Sequence, residues 1–116
     1  MEIYMKEYTS LKKNIDFQKV YRNGKSKANK YLVMYVLPNN LSINRLGITV
    51  SKKVGNSVVR HHLTRLVRES YRLNKNMFNS GLDIVVVVRT TARDEKFNTI
   101  ESALMHLGKI QNILEV

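Results

Sequence analysis

The chain has no cysteine and no tryptophan, a single proline, and 5 glycines in 116 residues. Without cysteine neither a disulfide framework nor a thiolate zinc site can form, and an intracellular setting needs no special argument. No apolar run approaches the ~20 residues needed to span a bilayer, and the opening MEIYMKEYTSLKK lacks the apolar centre of a signal peptide. The expectation is a soluble, cytoplasmic protein with no membrane partner. Repeats, linkers and low-complexity tracts are also missing, and 43% hydrophobic content in so short a chain supports one modest core, hence one domain over residues 1–116. Acidic residues are scarce and scattered, only Asp94 and Glu95 being adjacent among the Asp and Glu of the second half. A protein nuclease needs clustered carboxylates or a positioned general acid and base. His61 and His62 are sequence neighbours whose side chains diverge by about 100° on a helix, and His106 lies elsewhere, so no catalytic residue and no metal site is expected on the polypeptide.

What is abundant is positive charge. There are 20 Lys+Arg against 9 Asp+Glu, a net charge of +11, which favours a polyanionic partner, nucleic acid first. Residues 1–75 hold 16 of the basic residues against four acids, while residues 76–116 are nearly balanced. Such segregation points to an electropositive surface built by the first two thirds of the chain.

The pattern of apolar residues predicts the elements. A short helix runs from Asn14, a candidate N-cap, to Asn23 and stops at Gly24. A lysine-rich connector, KSKANK, follows. Tyr31–Leu37 reads as a strand covered on both faces, and Arg45–Ser51, with Leu46, Ile48 and Val50 alternating with Gly47, Thr49 and Ser51, as a strand with one face on the core. The two are expected to pair as a hairpin. Asn56–Leu73 is the clearest helix, its apolar stripe being Val59, Leu63, Leu66, Val67, Ser70 and Leu73. A buried strand over Asp83–Val88 and a last helix over Lys96–Asn112, carrying Phe97, Ile100, Leu104 and Leu107, complete the order α-β-β-α-β-α. The fold class is α+β, an α/β sandwich with helices on a small mixed sheet.

The informative segment is SKKVGNSVVRHHLTRLVRES, Ser51–Ser70. Lys52, Lys53, Gly55 and Asn56 form a basic turn that feeds into a helix N-terminus, where unpaired N–H groups attract phosphate. Opposite the apolar stripe, Arg60, His61, Thr64, Arg65, Arg68 and Arg72 share one face, with Tyr71 among them. Guanidinium groups on a rigid helix present forked donors at fixed spacing, matched to phosphate oxygens. Aromatic residues add surfaces on which unpaired bases stack. Phe17 and Tyr21 share a face of the first helix, and Tyr31 and Tyr35 a face of their strand. For Phe17, core packing competes with RNA contact.

The run RLGITVSKKVGNSVVRHHLTRLVRES, together with NIDFQKVYRNGKS, resembles the bacterial ribonuclease P protein, and the likeness continues through DIVVVVRTTARD. The resemblance implies a left-handed β-α-β crossover around the basic helix, against the usual right-handed preference. It implies a subunit of an endoribonuclease whose catalytic centre lies on an RNA partner, with Mg²⁺ bound mainly by that RNA, and precursor tRNA as the second RNA partner. No obligate protein partner is evident. By position, Lys52, Lys53, Arg60, Arg65 and Arg68 would meet the catalytic RNA, while Phe17, Tyr21 and Tyr35 would line a cleft for the 5′ leader. Three positions depart from the family pattern: His61 stands where Asn is usual, His62 where Arg or Lys is common, and Thr64 where a basic residue is common. A ribosomal or RNA-chaperone module without linked cleavage is the alternative.

Overall fold

The computed structural model describes residues 6–115. Its elements are β1 (Tyr8–Ser10), α1 (Asn14–Asn23), β2 (Lys25–Ala28), β3 (Leu32–Pro38), β4 (Asn44–Val50), α2 (Ser57–Asn74), β5 (Leu82–Val88) and α3 (Phe97–Ile110), with 3₁₀ turns at Lys75–Met77 and Thr90–Ala92. The five strands form one mixed sheet in the order β1-β4-β5-β3-β2. β4 runs parallel to β1 and to β5, whereas β3 is antiparallel to β5 and β2. All six elements read from the sequence are present in the expected order, and β1 and β2 are additions.

Three layers result. α2 and α3 cover one face of the sheet, where Leu32, Met34, Val36, Ile84, Val86 and Val88 meet Leu63, Val67, Ile100, Leu104 and Leu107. α1 covers part of the other face, burying Val20 against Val85 and Leu11. β5 is apolar but for Asp83 because both of its faces are covered, one by α2 and α3 and the other by α1. That property also decides the topology: the expected hairpin between β3 and β4 does not form, because β5 lies between them and pairs with both. The strand with the most buried apolar surface takes the centre, and the β4–α2–β5 unit returns the chain to it as a parallel crossover.

Other local expectations change for identifiable reasons. α1 begins one residue beyond Lys13, which occupies the N-cap without a side-chain hydrogen bond, so Asn14 is helical rather than capping. The lysine-rich connector is the edge strand β2, every residue of it exposed. Tyr31 does not join Tyr35: it packs with the core on the α2/α3 side, because the side-chain oxygen of Asn29 accepts from the Tyr31 and Leu32 amides and turns the chain ahead of β3. On α2 the buried residues are Leu63, Val67, Ser70 and Tyr71, so the stripe is centred nearer Leu63 and Val67 than expected. Leu73 is therefore 55% exposed, and Tyr71 leaves the arginine face for the core. There it stacks edge-on to Tyr8, with centroids 4.8 Å apart, and accepts from Asn44 Nδ2 at 3.0 Å. Burial pushes the Tyr71 phenol up.

Candidate RNA interface

Two grooves lie on opposite faces of β4, and its alternating side chains divide between them. β1 pairs only with Asn44–Leu46, so among the described residues the outer edge of β4 from Gly47 to Val50 has no strand beside it. Thr49 faces the α1 side, and Ile48 and Val50 face α2.

The α1 groove, about 390 Å³, is lined by Lys12, Asn14, Phe17, Tyr21 and Thr49. Its floor depends on Gly47. A Cβ there would stand 2.6 Å from Phe17 Cε1, so only glycine lets the ring approach the strand this closely. Phe17 and Tyr21, one helical turn apart, have centroids 6.3 Å apart, and Tyr21 meets Tyr35 edge-to-face at 5.0 Å. The Tyr21 hydroxyl shares a hydrogen bond of 2.9 Å with Thr49 Oγ1, which fixes the ring across the groove. All three aromatics are half-buried. The structure thus brings Phe17, Tyr21 and Tyr35 into one cluster, with Tyr35 supporting Tyr21 from behind the groove. Lys12, Asn14 and Thr49 are not placed in the groove from sequence, where Asn14 enters only as a candidate N-cap. The period-two alternation placing Thr49 on the same face as Gly47, and the Lys-Lys pair ahead of α1, were the available signals.

The second surface is α2 and the turn before it. Val54, 2% exposed, anchors that turn in the core and leaves Lys52 and Lys53 in solvent. Gly55 allows the chain to pass close to Val59, whose Cγ1 would be 2.7 Å from any Cβ at that position. Asn56 is the N-cap, its side-chain oxygen accepting from the Val59 amide at 3.0 Å. No acidic residue occupies the first turn of α2, so the positive end of the helix dipole is met by nothing but the cap and faces two lysines. Along the outer face His61, Arg65, Arg68 and Arg72 are exposed, while Arg60 and Thr64 are half-buried. Arg60, His61, Thr64 and Arg68 border a groove of about 330 Å³ shared with Ile48, Val50 and Ser57. Arg60 is held with its Nε out of solvent and without a hydrogen-bond partner among the described residues, while its backbone carbonyl accepts from Thr64 Oγ1 at 2.8 Å. Arg72 differs from the others: its Nε donates to Glu69 Oε2 at 2.9 Å. That hydrogen bond holds the Glu69 carboxyl below its ordinary range and raises Arg72. Arg60, Arg65 and Arg68 have no acidic partner among the described residues. Nor do any three His, Asp or Glu side chains among them form a group able to hold a metal ion.

A family profile described as ribonuclease P matches residues 5–111, which takes in both grooves. The chain belongs to the ribonuclease P protein family. It is 64% identical over 105 residues to the ribonuclease P protein component of Lachnoclostridium phytofermentans, covering 90% of each chain. With that of Alkaliphilus oremlandii the identity is 50%, over 95% of this chain and 96% of the relative. Among solved structures, the RNase P protein of Staphylococcus aureus superposes with a TM-score of 0.85 at 38% identity, covering 91% of this chain and 97% of that one. The protein from Thermotoga maritima gives 0.81 at 36% identity, over 87% and 96%. As a ribonuclease P protein the chain is a subunit of an endoribonuclease, partners the ribonuclease P RNA, and serves 5′ maturation of tRNA. No helix among the described residues is long and apolar enough to cross a membrane.

Proposed function

We propose that the two surfaces divide the work of binding RNA: Lys52, Lys53, Arg60, His61, Thr64, Arg65, Arg68 and the first turn of α2 hold the catalytic RNA, and the α1 groove holds the 5′ leader of precursor tRNA. The observation that carries this reading is the separation of the two chemistries by the free edge of β4. On one side a rigid helix presents guanidinium groups without acidic partners, suited to phosphates of a structured RNA. On the other, aromatic rings sit in an open groove flanked by Lys12, suited to an unpaired strand whose bases stack while its phosphates meet lysine. Asn56 acts through the helix it caps, and Arg72, engaged by Glu69, contributes less than its neighbours.

In this reading Mg²⁺ is bound mainly by the RNA partner, whose crowded phosphate oxygens are the ligands a divalent cation neutralises. The protein contributes position and charge neutralisation: it holds the leader beside the catalytic RNA and lowers the cost of crowding phosphates. Its place is the cytoplasm, with its RNA partners.

The test is cleavage of a 5′-leader precursor tRNA at low Mg²⁺ by catalytic RNA alone, protein alone, and both together, with the wild-type protein and with Arg65→Ala/Arg68→Ala. Efficient cleavage by the wild-type mixture only is expected. Cleavage by protein alone, or no effect of adding it, would overturn the assignment. In the same assay Tyr21→Ala is expected to reduce the preference for precursor over mature tRNA about fivefold or more, the loss of one stacked base, and an unchanged preference would remove the leader from this groove.

A further inference from the structure

Eight aromatic residues lie within the described part of the chain, and seven of them pack in one of the two hydrophobic clusters. Phe97 packs in neither. Its helix buries Ile100, Leu104 and Leu107 as the apolar spacing requires, but Phe97, at the N-terminal end of the same stripe and the first residue of α3, stays half-buried. A phenyl ring left partly in water at the start of a helix gains little for the fold. It borders a groove of about 550 Å³ between α2 and α3, lined by His62, Arg65, Leu66, Arg68, Glu69 and Phe97. That volume is in the ~300–1,000 Å³ range of sites that enclose small molecules.

The lining has a definite chemistry. Leu66 and Phe97 supply apolar surface, while Arg65 and Arg68 supply cationic donors that have no acidic partner among the described residues. Glu69 also lines the groove, but two hydrogen bonds pair its carboxylate with Arg72, so its charge is met by a cation other than Arg65 and Arg68. An aromatic face beside two free guanidinium groups complements a base attached to a phosphate, and this groove shares its arginines with the RNA-facing side of α2. We infer that the α2–α3 groove receives a single unstacked nucleotide of the catalytic RNA, its base against Phe97 and Leu66 and its phosphate on Arg65 and Arg68. His62 also lines the groove, and its ring offers a second flat surface. The inference rests on the assignment of α2 to the catalytic RNA and adds a recognition element that charge alone does not supply: bases, unlike phosphates, differ from one position of an RNA to another.

The experiment measures binding of the ribonuclease P RNA to the full-length protein across a range of salt, for wild type, Phe97→Leu, Phe97→Tyr and Arg65→Ala/Arg68→Ala. Pairing of arginine with phosphate releases counterions, whereas stacking does not. Phe97→Leu is expected to weaken binding about tenfold at every salt concentration with an unchanged salt slope, and Phe97→Tyr to bind within about twofold of wild type. Thermal unfolding of both single variants should match wild type, since Phe97 lies outside the core clusters. The double arginine variant should flatten the slope by about 0.7–0.9 for each phosphate that is no longer neutralised. If that variant binds like wild type, the RNA-facing assignment of α2 fails and the groove's assignment with it. If its affinity falls while that of Phe97→Leu does not, the nucleotide site alone is overturned. Equal defects in Phe97→Leu and Phe97→Tyr would also overturn it, because the ring itself would then be irrelevant. So would a Phe97→Leu defect confined to precursor tRNA, which would give the groove to the substrate.

Discussion

A carboxylate at the head of an apolar strand persists only if its charge is met from several sides, and Asp83, 3% exposed, is so placed. Arg45 donates to it through Nε at 2.8 Å and a terminal nitrogen at 2.7 Å, and Asn39 Nδ2 donates at 2.9 Å. Asp16 on α1 stands 3.5 Å from the same guanidinium. Burial pulls the Asp83 carboxyl upward, but the hydrogen bonds from Arg45 and Asn39 outweigh it and leave the group below its ordinary value. A depressed carboxylate stabilises the fold above its unfolded-state pKa, and that contribution disappears as pH falls through the lower, folded-state one. Asp83→Asn is therefore expected to cost about 2 kcal/mol near neutrality, less than a fully buried pair because Arg45 keeps some solvent contact. The difference from wild type should close below about pH 4, which urea unfolding at a series of pH values would show; a constant difference down to about pH 2 would sink the argument. Nothing in the local sequence announces this pair, since Arg45 and Asp83 meet only through the β4–β5 register. Tyr71 and Leu73 were misplaced for a related reason: their positions flank the edges of the apolar stripe, and β1, a strand of three residues, supplies the Tyr8 ring that draws Tyr71 inward.

Among the elements, those with a strong period were legible and those defined by their neighbours were not. α2 and α3 are placed within one or two residues of their expected ends, because capping and apolar spacing are local properties. β2 reads as a loop because four exposed residues, two of them lysine, carry no strand signal. Its pairing is imposed by β3 and by Gln111, whose Nε2 donates to the Lys25 and Met34 carbonyls, each at 2.9 Å. The lysines also suit an outer strand, since they discourage further edge-to-edge pairing. β4 shows the functional side of the same dependence: its alternation was visible, but its role as a divider between two grooves exists only once α1 and α2 pack on opposite faces. Gly47→Ala tests that role directly. The added methyl must displace Phe17, at an expected cost of about 1–3 kcal/mol in stability. In the folded population the change should lower the preference for precursor over mature tRNA while leaving affinity for the catalytic RNA within about twofold of wild type. Equal damage to both would mean that the two faces of β4 are not separate sites.

At the scale of the whole molecule, the uneven distribution of charge was the earliest functional signal, and the fold shows why it survives. The basic first 75 residues supply α1, the turn before α2 and α2 itself, which flank β4, while the nearly neutral remainder supplies the central strand and α3. Only four ion pairs occur among the described residues: Lys6–Glu115, Arg45–Asp16, Arg45–Asp83 and Arg72–Glu69. Most cations thus have no ion-pair partner among the described residues and repel one another, whereas the fold is held by apolar burial that salt does not screen. Opposite responses to salt follow. Raising monovalent salt from ~50 to ~200 mM should weaken binding of the catalytic RNA by about 130- to 500-fold if Lys52, Lys53, Arg60, Arg65 and Arg68 each neutralise one phosphate. Over the same range the thermal midpoint of the free protein should stay level or rise, because screening relieves the self-repulsion of a chain carrying +11. A midpoint falling in step with RNA affinity would mean that ion pairs hold the fold, and that the excess charge is structural rather than reserved for RNA.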